Sequence, residues 1–308
     1  MSVGYVAFWV ELPYLSKDWF QAEAWQLGLL GGSMSAGYVL TCLFVGRIAR
    51  VMTRRQMITL GALITAYVSF AIGIAESMLY MTALVAVAGF GHGLFWPAIE
   101  AHLTAGVGPS ELRHRVGWFN LSWSTGDVLG ALMGGALYMG ARAIADYAEI
   151  PRLLALPFLV TTGCCVAIVV IAHRSLRHAP ESQSWRDEHD RHVPKSAARG
   201  GAAFLGVFWV MALIANSGAT AFRGILLNVF PDIGKDMLGY NAFEWGVLVA
   251  MIPLTRTLMF IYWQRHQGWA YRARYLFGFQ ALLPLAAALS SPRPWPAPIR
   301  WSGIDVSA

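Results

Sequence analysis

The chain has 308 residues, of which 56% are hydrophobic and 13% are charged, and its formal net charge is +6. Soluble domains carry about 25% charged residues, so this composition excludes a protein whose surface is mostly in contact with water. The positive charge does not indicate nucleic-acid binding, because 10 of the 40 charged residues lie in one polar segment between Arg174 and Arg199. The composition therefore predicts an integral membrane protein whose main solvent is lipid.

Nine apolar runs approach the length of a membrane-spanning helix. A bilayer core about 30 Å thick needs roughly 20 apolar residues per helix, and none of the runs shows the sustained two-residue alternation of barrel strands. The sequence therefore predicts an all-α, polytopic membrane protein. In chain order the runs cover residues 2–15, 25–45, 57–75, 78–99, 116–140, 152–172, 202–226, 240–262 and 272–290. The first run is short and lacks the features of a secretory signal, so we interpret it as the stump of a first span.

A polar segment divides the runs into six and three. Residues 173–200 carry mixed charges and two prolines, which predicts a linker between two membrane halves. The predicted first half covers residues 1–172 with six helices, and a partial second half of about three helices covers residues 201–290. Residues 291–308 contain four prolines and no helix-length run. This end is interpreted either as a disordered tail or as a reading-frame shift that replaced further spans.

The basic residues predict the orientation in the membrane. With a cytoplasmic amino terminus, the inside loops hold fifteen Lys and Arg residues and the outside loops hold four. An excess of Lys and Arg is typical of cytoplasmic loops. We therefore expect a protein integral to the plasma or inner membrane of the cell, with its amino terminus and central linker in the cytoplasm.

A basic turn follows the second apolar run. The chain there reads GRIARVMTRR from Gly46 to Arg55. A glycine at a helix exit and a short basic loop suit a tight cytoplasmic hairpin between two spans. The candidate motif residues of this loop are Gly46, Arg54 and Arg55.

Glycines recur along the fifth run. They are Gly117, Gly126, Gly130, Gly134 and Gly135. Three of them, Gly126, Gly130 and Gly134, are spaced every four residues, so they share one helix face on which a partner backbone can approach closely. An ordinary packing seam of small residues would show the same spacing, and this alternative stays open.

The fourth run adds three alternating glycines and Pro97. Together with the basic loop, the glycines of the fifth run and the layout of six runs before a linker, this pattern resembles the major facilitator superfamily over roughly residues 2–290. The departures from the family pattern are Arg50, Val51 and Thr53 at the acidic, basic and glycine positions of the loop signature, and Ala131 at the proline of the fifth-span antiporter signature.

The resemblance implies a helical bundle of two pseudo-symmetric six-helix halves, here with a complete amino-terminal half and a partial carboxy-terminal half. A substrate cavity would lie between the halves near the bilayer midplane and open to each side in turn. The implied function is a secondary active transporter that moves a small organic solute across the lipid bilayer, driven by a proton or solute gradient.

The number of helices leaves an alternative function open. Three helices cannot enclose a cavity opposite six, so a second chain or oligomerisation would have to complete the bundle. Without such completion, the protein is interpreted as a truncated, non-transporting membrane protein or an assembly partner.

Two charged residues are predicted to lie at membrane depth, where a charge costs several kcal/mol unless it is paired or hydrated. Asp127 lies beside the glycine face of the fifth run, and Arg256 lies about two thirds along the eighth. The fifth and eighth helices meet between the halves in the family that the chain resembles. We therefore hypothesise that Asp127 and Arg256 pair across the cavity. Proton coupling through Asp127, a structural ion pair and a misplaced span boundary are the alternatives.

Three further residues are candidates for coupling or for contact with substrate. His92 in the fourth run titrates near neutrality and can relay protons, or it packs as a hydrogen-bonded histidine. Asn120 and Asn216 can line the cavity, or they bond one helix to another. Glu11 is interpreted as a snorkelling side chain at the outer end of the first run.

The motifs of enzymes and cofactor sites are missing from the sequence. Nothing resembles an ATP-binding loop, a zinc-protease motif or a nucleophile elbow. The three cysteines lie in apolar runs and have no metal-ligand spacing. We therefore predict no enzyme activity, no cofactor, no metal and no nucleic-acid partner.

Overall fold

The structure is a computed structural model, and it describes residues 1–175, 224, 227–228 and 230–265. All the regular elements among these residues are helices, which confirms the predicted all-α class. The predicted ninth run, the tail, and nearly all of the linker and of the seventh run lie outside the described residues.

Eight α-helices occupy the described part of the chain. They are α1 (Ser2–Phe20), α2 (Ala24–Ile48), α3 (Arg54–Ile72), α4 (Met78–Thr104), α5 (Pro109–Ala148), α6 (Leu156–Ser175), α7 (Phe230–Asp236) and α8 (Ala242–Arg265), and a 3-10 helix (Pro151–Ala155) precedes α6. Six of these helices, α2 to α6 and α8, are long and apolar enough to cross a membrane. The runs that predicted these six helices are therefore confirmed as helical.

Several helices, among them α1 and α5, are longer than the apolar runs that predicted them. Helix α1 continues to Phe20 rather than ending near residue 15, and α5 covers Pro109–Ala148 rather than 116–140. Hydropathy detects only the part of a helix that lies in lipid, whereas the backbone hydrogen bonds continue the helix beyond it. Gly108 precedes α5, and the proline in its first turn lacks only an N–H that has no partner in the helix.

Side-chain caps begin the early helices. Glu23 precedes α2 and Thr53 precedes α3, and each forms a reciprocal capping box with the glutamine three residues later. The hydroxyl of Ser77 accepts a hydrogen bond from the backbone N–H of Tyr80 at the start of α4. These caps fix where each helix begins, and the connections between α2, α3 and α4 are short. Helix α4 packs closely against both α2 and α3.

Glycines let these helices approach to backbone contact. A side chain at Gly37 of α2 would collide with the carbonyl oxygen of Ala86 in α4. A side chain at Gly61 of α3 would collide with the carbonyl oxygen of Gly91, also in α4. The glycines of the predicted fourth run therefore lie where α2, α3 and α4 pack together.

The glycine face predicted on α5 packs mainly against α1. The contacts pair Gly126 with Ser2, Gly130 with Val3, Gly134 with Ala7 and, on α8 instead of α1, Gly135 with Ala242. Gly117 is half-buried and lies nearer the start of α5. A packing seam is therefore present at this face, and a role of these glycines in transport stays a prediction.

Helix α1 lies inside the bundle. Every residue from Val6 to Ser16 is buried, and the helix packs against α5 and α6. Lipid does not cover these side chains, so polar groups on α1 are surrounded by protein. Glu11 belongs to this buried part of α1 and is therefore surrounded by protein rather than by lipid.

Candidate functional site

An ion pair joins α5 to α8. The Nη2 atom of Arg256 lies 2.7 Å from Oδ2 of Asp127. The Asp127 side chain is 3% exposed, and the Arg256 side chain is 27% exposed. The contact predicted from the sequence for these two residues is present, and its part in transport stays a prediction.

The hydroxyl of Ser124 lies at the centre of a polar cluster around this pair. It accepts a hydrogen bond from Nε of Arg256 at 2.9 Å and lies 2.8 Å from the hydroxyl of Thr257. The same hydroxyl can donate to the carbonyl oxygen of Pro253 at 3.1 Å. Two donors of the guanidinium thus reach α5, one through the carboxylate and one through Ser124, which fixes the plane of the guanidinium.

Trp123 covers one face of the guanidinium. The Cζ atom of Arg256 lies 3.8 Å from the centre of the Trp123 ring, a distance at which a cation–π contact contributes about 0.5–2 kcal/mol. The indole N–H of Trp123 donates to Oδ1 of Asn120 at 3.0 Å. The predicted residues Asn120, Arg256 and Asp127 therefore belong to one connected cluster.

Sequence reasoning missed three members of this cluster, Trp123, Ser124 and Thr257. A signal for two of them was available. Ser124 precedes Asp127 by three residues and therefore shares its helix face. Trp123 follows Asn120 at the same spacing, whereas Thr257 is adjacent to Arg256 and no spacing rule selects it.

His92 lies apart from this cluster, on α4. Its Nδ1 atom lies 3.0 Å from the carbonyl oxygen of Ala88, so Nδ1 carries the proton and donates. The imidazole centre lies 4.8 Å from the Tyr5 ring, and the side chain is buried beside a small apolar cavity. This geometry fits the packing alternative. Asn216 lies outside the described residues.

The basic loop motif connects helices at the end of the bundle where α2 ends. Gly46 lies within the last turn of α2, and Arg54 is the first residue of α3. The Nη2 atom of Arg55 lies 2.7 Å from Nδ1 of His173 at the end of α6. The loop therefore ties α3 to α6, whose continuation is the predicted linker.

A second group of charges gathers where α1 ends, and we call it the α1-end cluster. Its members are Lys17, Asp18, Tyr138, Arg142, Asp232, Lys235 and Asp236. Nζ of Lys17 lies 2.5 Å from Oδ1 of Asp232 and 2.6 Å from Oδ2 of Asp236, both on α7.

Burial alone would lower the pKa of Lys17, but the hydrogen bonds to the two aspartates raise it above its ordinary value. The Lys17 ammonium therefore stays charged up to strongly alkaline pH. The contribution of its ion pairs to the stability of the folded protein is lost only when the pH rises above that range.

Asp18 is the second centre of the α1-end cluster. Its Oδ2 atom accepts hydrogen bonds from the Tyr138 hydroxyl at 2.7 Å and from Nη1 of Arg142 at 3.1 Å. Its Oδ1 atom pairs with Lys235 of α7. Asp18 lies 124 residues from Arg142 and 217 residues from Lys235 along the chain, so no local pattern in the sequence indicated these pairs.

The expectation that Glu11 snorkels at a helix end is wrong. Glu11 lies in the middle of α1, which continues for nine residues beyond it, and its side chain is 0% exposed. Neither carboxylate oxygen has a hydrogen-bond partner within the described part of the chain. The predicted apolar run ended at residue 15, whereas α1 continues to Phe20, so the prediction placed Glu11 too close to the membrane surface.

The described residues contain no group of His, Cys, Asp and Glu arranged to hold a metal ion. The polar cluster between α5 and α8 instead offers a guanidinium, a carboxylate and hydroxyls. Such groups bind polar or charged solutes through hydrogen bonds.

Known proteins resemble this chain in fold and in family. The model of the protein family described as Major Facilitator Superfamily matches residues 1–303 of this chain. Six chains of solved structures match, and one of them is a bacterial homolog of the human lysosomal transporter Spinster in an inward-facing and unoccupied conformation. That structure has a TM-score of 0.62 and 18% sequence identity, and the match covers 82% of this chain.

The chain spans 57% of the length of that solved transporter, and no curated protein matches it significantly. At this identity the structural match supports the fold alone. The family match, however, covers nearly the whole chain, and it agrees with the six described helices that can cross a membrane. The protein is therefore an integral membrane protein that belongs to the Major Facilitator Superfamily.

Proposed function

We propose that this protein is a secondary active transporter that moves a small organic solute by alternating access, with proton coupling. The observation that carries the proposal is the ion pair between Asp127 of α5 and Arg256 of α8. The pair joins α5 of the predicted first half to α8 of the predicted second half. Charged groups at membrane depth are expensive, so they are typical of solute or ion pathways rather than of inert packing.

The cluster around Arg256 supports a binding role because its parts can be exchanged. The guanidinium is held by a carboxylate, a hydroxyl and an aromatic face, each of which a solute group can replace. A polar solute that takes over one of these contacts changes the interaction between α5 and α8. Binding would thus alter the balance between two arrangements of the halves.

The α1-end cluster is a second observation that supports alternating access. It connects α1 to α7 through Lys17 and through Asp18. Under the proposed orientation, with the amino terminus and linker in the cytoplasm of a plasma or inner membrane, this end faces outside. The ion pairs would hold the outer side closed, and they would have to separate when the cavity opens outward.

A non-transporting membrane protein or an assembly partner is the alternative function. The chain spans 57% of the length of the solved transporter that it resembles, so the activity of a whole transporter remains a proposal for it. The two functions predict different behaviour of the purified chain in a lipid vesicle. A transporter moves a solute across the vesicle membrane, whereas a non-transporting protein does not.

Reconstitution of the full chain into proteoliposomes tests the proposal. We expect exchange of at least one radiolabelled solute from a panel of small organic anions, cations and neutral compounds, in vesicles preloaded with the same compound. The Arg256→Gln variant should lose this exchange, whereas Arg115→Gln, which removes a solvent-exposed pair within α5, should retain it. Failure of every solute, including after addition of oligomer-stabilising lipids, would favour the alternative function.

A further inference from the structure

Glu11 is a buried acid that the proposed transport cycle does not yet use. It is fully buried in the middle of α1, and neither of its carboxylate oxygens has a hydrogen-bond partner within the described residues. The helix around it is buried from Val6 to Ser16. Among the described residues, no hydrogen-bond donor therefore contacts the carboxylate of Glu11.

The chemistry of such a site favours a neutral acid. An isolated carboxylate transferred from water into an apolar interior loses its hydration without compensation, and the group takes up a proton instead. Asp127 shows the contrast, because it is equally buried but lies 2.7 Å from the guanidinium of Arg256. One buried acid is thus paired with a cation, and the other has no hydrogen-bonded partner among the described residues.

The packing of α1 on α5 places Tyr138 at the level of Glu11. Val3 contacts Gly130 and Ala7 contacts Gly134, so the two parallel helices advance in steps of four residues. The next step brings Glu11 to the level of Tyr138. Their side chains are close enough to interact electrostatically, although they do not form a hydrogen bond in this structure.

Tyr138 connects this level to the α1-end cluster. Its hydroxyl donates to Oδ2 of Asp18 at 2.7 Å. The Asp18 side chain is 14% exposed, so it communicates with water at the end of the bundle. Glu11, Tyr138 and Asp18 thus form a line from the buried interior of the first half to one surface.

Charged and hydroxyl groups approach this line from α5, α7 and α1, and Glu244 of α8 lies near enough to Tyr14 to interact electrostatically. Helix α5 contributes Tyr138 and, further toward the surface, Arg142; helix α7 contributes Lys235. On α1 itself, Tyr14 packs against the Tyr138 ring, and Lys17 lies at the surface in its pairs with α7. Among the residues that the structure describes, the cations of the α1-end cluster lie closest along α1, about two helical turns from Glu11.

We propose that Glu11 is a proton-binding site of this protein, and that its proton exchanges with solution at the α1 end through Tyr138 and Asp18. In the transfer, the Glu11 carboxyl gives its proton to the Tyr138 oxygen, directly after a side-chain rotation or through one water. The Tyr138 hydroxyl proton passes to the Asp18 carboxylate. The net change is a carboxylate at Glu11, a carboxyl at Asp18 and an unchanged tyrosine.

The proposal deepens the proposed function, because it names the group that would couple proton movement to transport. A Glu11 carboxylate is stabilised only when water or a cation reaches it. Opening of the α1 end would supply both, since it separates the ion pairs and admits solvent. Proton release from Glu11 and opening of that end are therefore thermodynamically linked.

Infrared spectroscopy of the full chain in lipid nanodiscs tests the proton site without any solute. The wild type should show the carbonyl stretch of a protonated carboxylic acid at neutral pH, and Glu11→Gln should lose that band. Glu149→Gln, an exposed acid at the end of α5, should keep it. Persistence of the full band in Glu11→Gln would overturn the proposal, because another group would then hold the proton.

Hydrogen–deuterium exchange of the same band tests the route. Tyr138→Phe keeps the ring and removes the hydroxyl, so the band should remain while its exchange with heavy water slows several-fold. Tyr14→Phe is the matched control, because it removes a hydroxyl that bonds only backbone oxygens of residues 240 and 241 among its described partners. Equal exchange rates in Tyr138→Phe and the wild type would overturn the route.

Coupling is tested separately with a solute that the proteoliposomes exchange. Glu11→Gln should lose accumulation driven by a pH gradient and keep solute exchange at equal pH. Unchanged accumulation would overturn the coupling role even if the infrared band is lost. If the wild type exchanges no solute at all, the proposed transport function fails, and the infrared measurements still decide whether Glu11 binds a proton.

Discussion

At the scale of residues, the Asp127–Arg256 pair is the contact with the clearest energetic consequence. Asp127→Asn leaves the Arg256 guanidinium without its carboxylate, whereas Asp127→Asn with Arg256→Gln leaves no lone charge. Breaking a buried pair costs about 3–5 kcal/mol, and the partial exposure of Arg256 reduces this cost through solvent screening. We expect the single variant to lower the free energy of unfolding by about 1–3 kcal/mol and the double variant to lose less. Chemical unfolding in detergent micelles measures both.

Asp146→Asn is the matched control for this cycle. Asp146 lies on the same helix, but its side chain is 74% exposed and it lies 4.0 Å from Arg142. Its replacement should change stability by less than about 0.5 kcal/mol. If the cost of the double variant equals the sum of the costs of Asp127→Asn and Arg256→Gln measured separately, the two side chains do not stabilise each other.

At the scale of elements, the seam between α1 and α5 depends on the absence of side chains at a few positions. Gly130→Ala would push a methyl group into the backbone of Val3, whereas Gly140→Ala on the same helix meets open space. Overpacking of this kind costs about 1–3 kcal/mol, and alanine in open space is neutral or favourable. The melting temperature of the purified protein should therefore fall for Gly130→Ala and stay constant or rise for Gly140→Ala. Equal melting temperatures would mean that α1 can shift away at no cost.

At the scale of the whole molecule, the α1-end cluster should control access from one end of the bundle. Lys17→Gln removes the ammonium that pairs with Asp232 and Asp236, so the separation of α1 from α7 becomes easier. A cysteine introduced at Leu15, which is 0% exposed, should then react faster with a maleimide in nanodiscs, in a background without the native cysteines. Charge attraction is screened by salt, so high ionic strength should reduce the difference between the variant and its parent.

Arg115→Gln is the control for this accessibility measurement. It removes the Arg115–Glu111 pair near the start of α5, at the other end of that helix from the α1-end cluster. We expect no change in the reaction rate of the cysteine at position 15. A similar acceleration in both variants would indicate general loosening of the bundle, and the cluster would then have no specific closing role.

The sequence by itself determined the class of the protein and the pairing of two charges. Apolar runs near the length of a bilayer predicted six of the described helices, because in lipid every backbone polar group must bond within its own segment. The cost of burying charge singled out Asp127 and Arg256. The resemblance to a family in which the fifth and eighth helices meet then predicted that these two residues pair.

Only the tertiary structure decided the place of Glu11 and the members of the α1-end cluster. Hydropathy records where a chain meets lipid, but it cannot tell whether a helix face meets lipid or another helix. The buried position of Glu11 depends on the packing of α1 against α5 and α6. The pairs of Lys17 and Asp18 with α7 join residues more than two hundred positions apart, and such contacts arise from the arrangement of helices rather than from any local pattern.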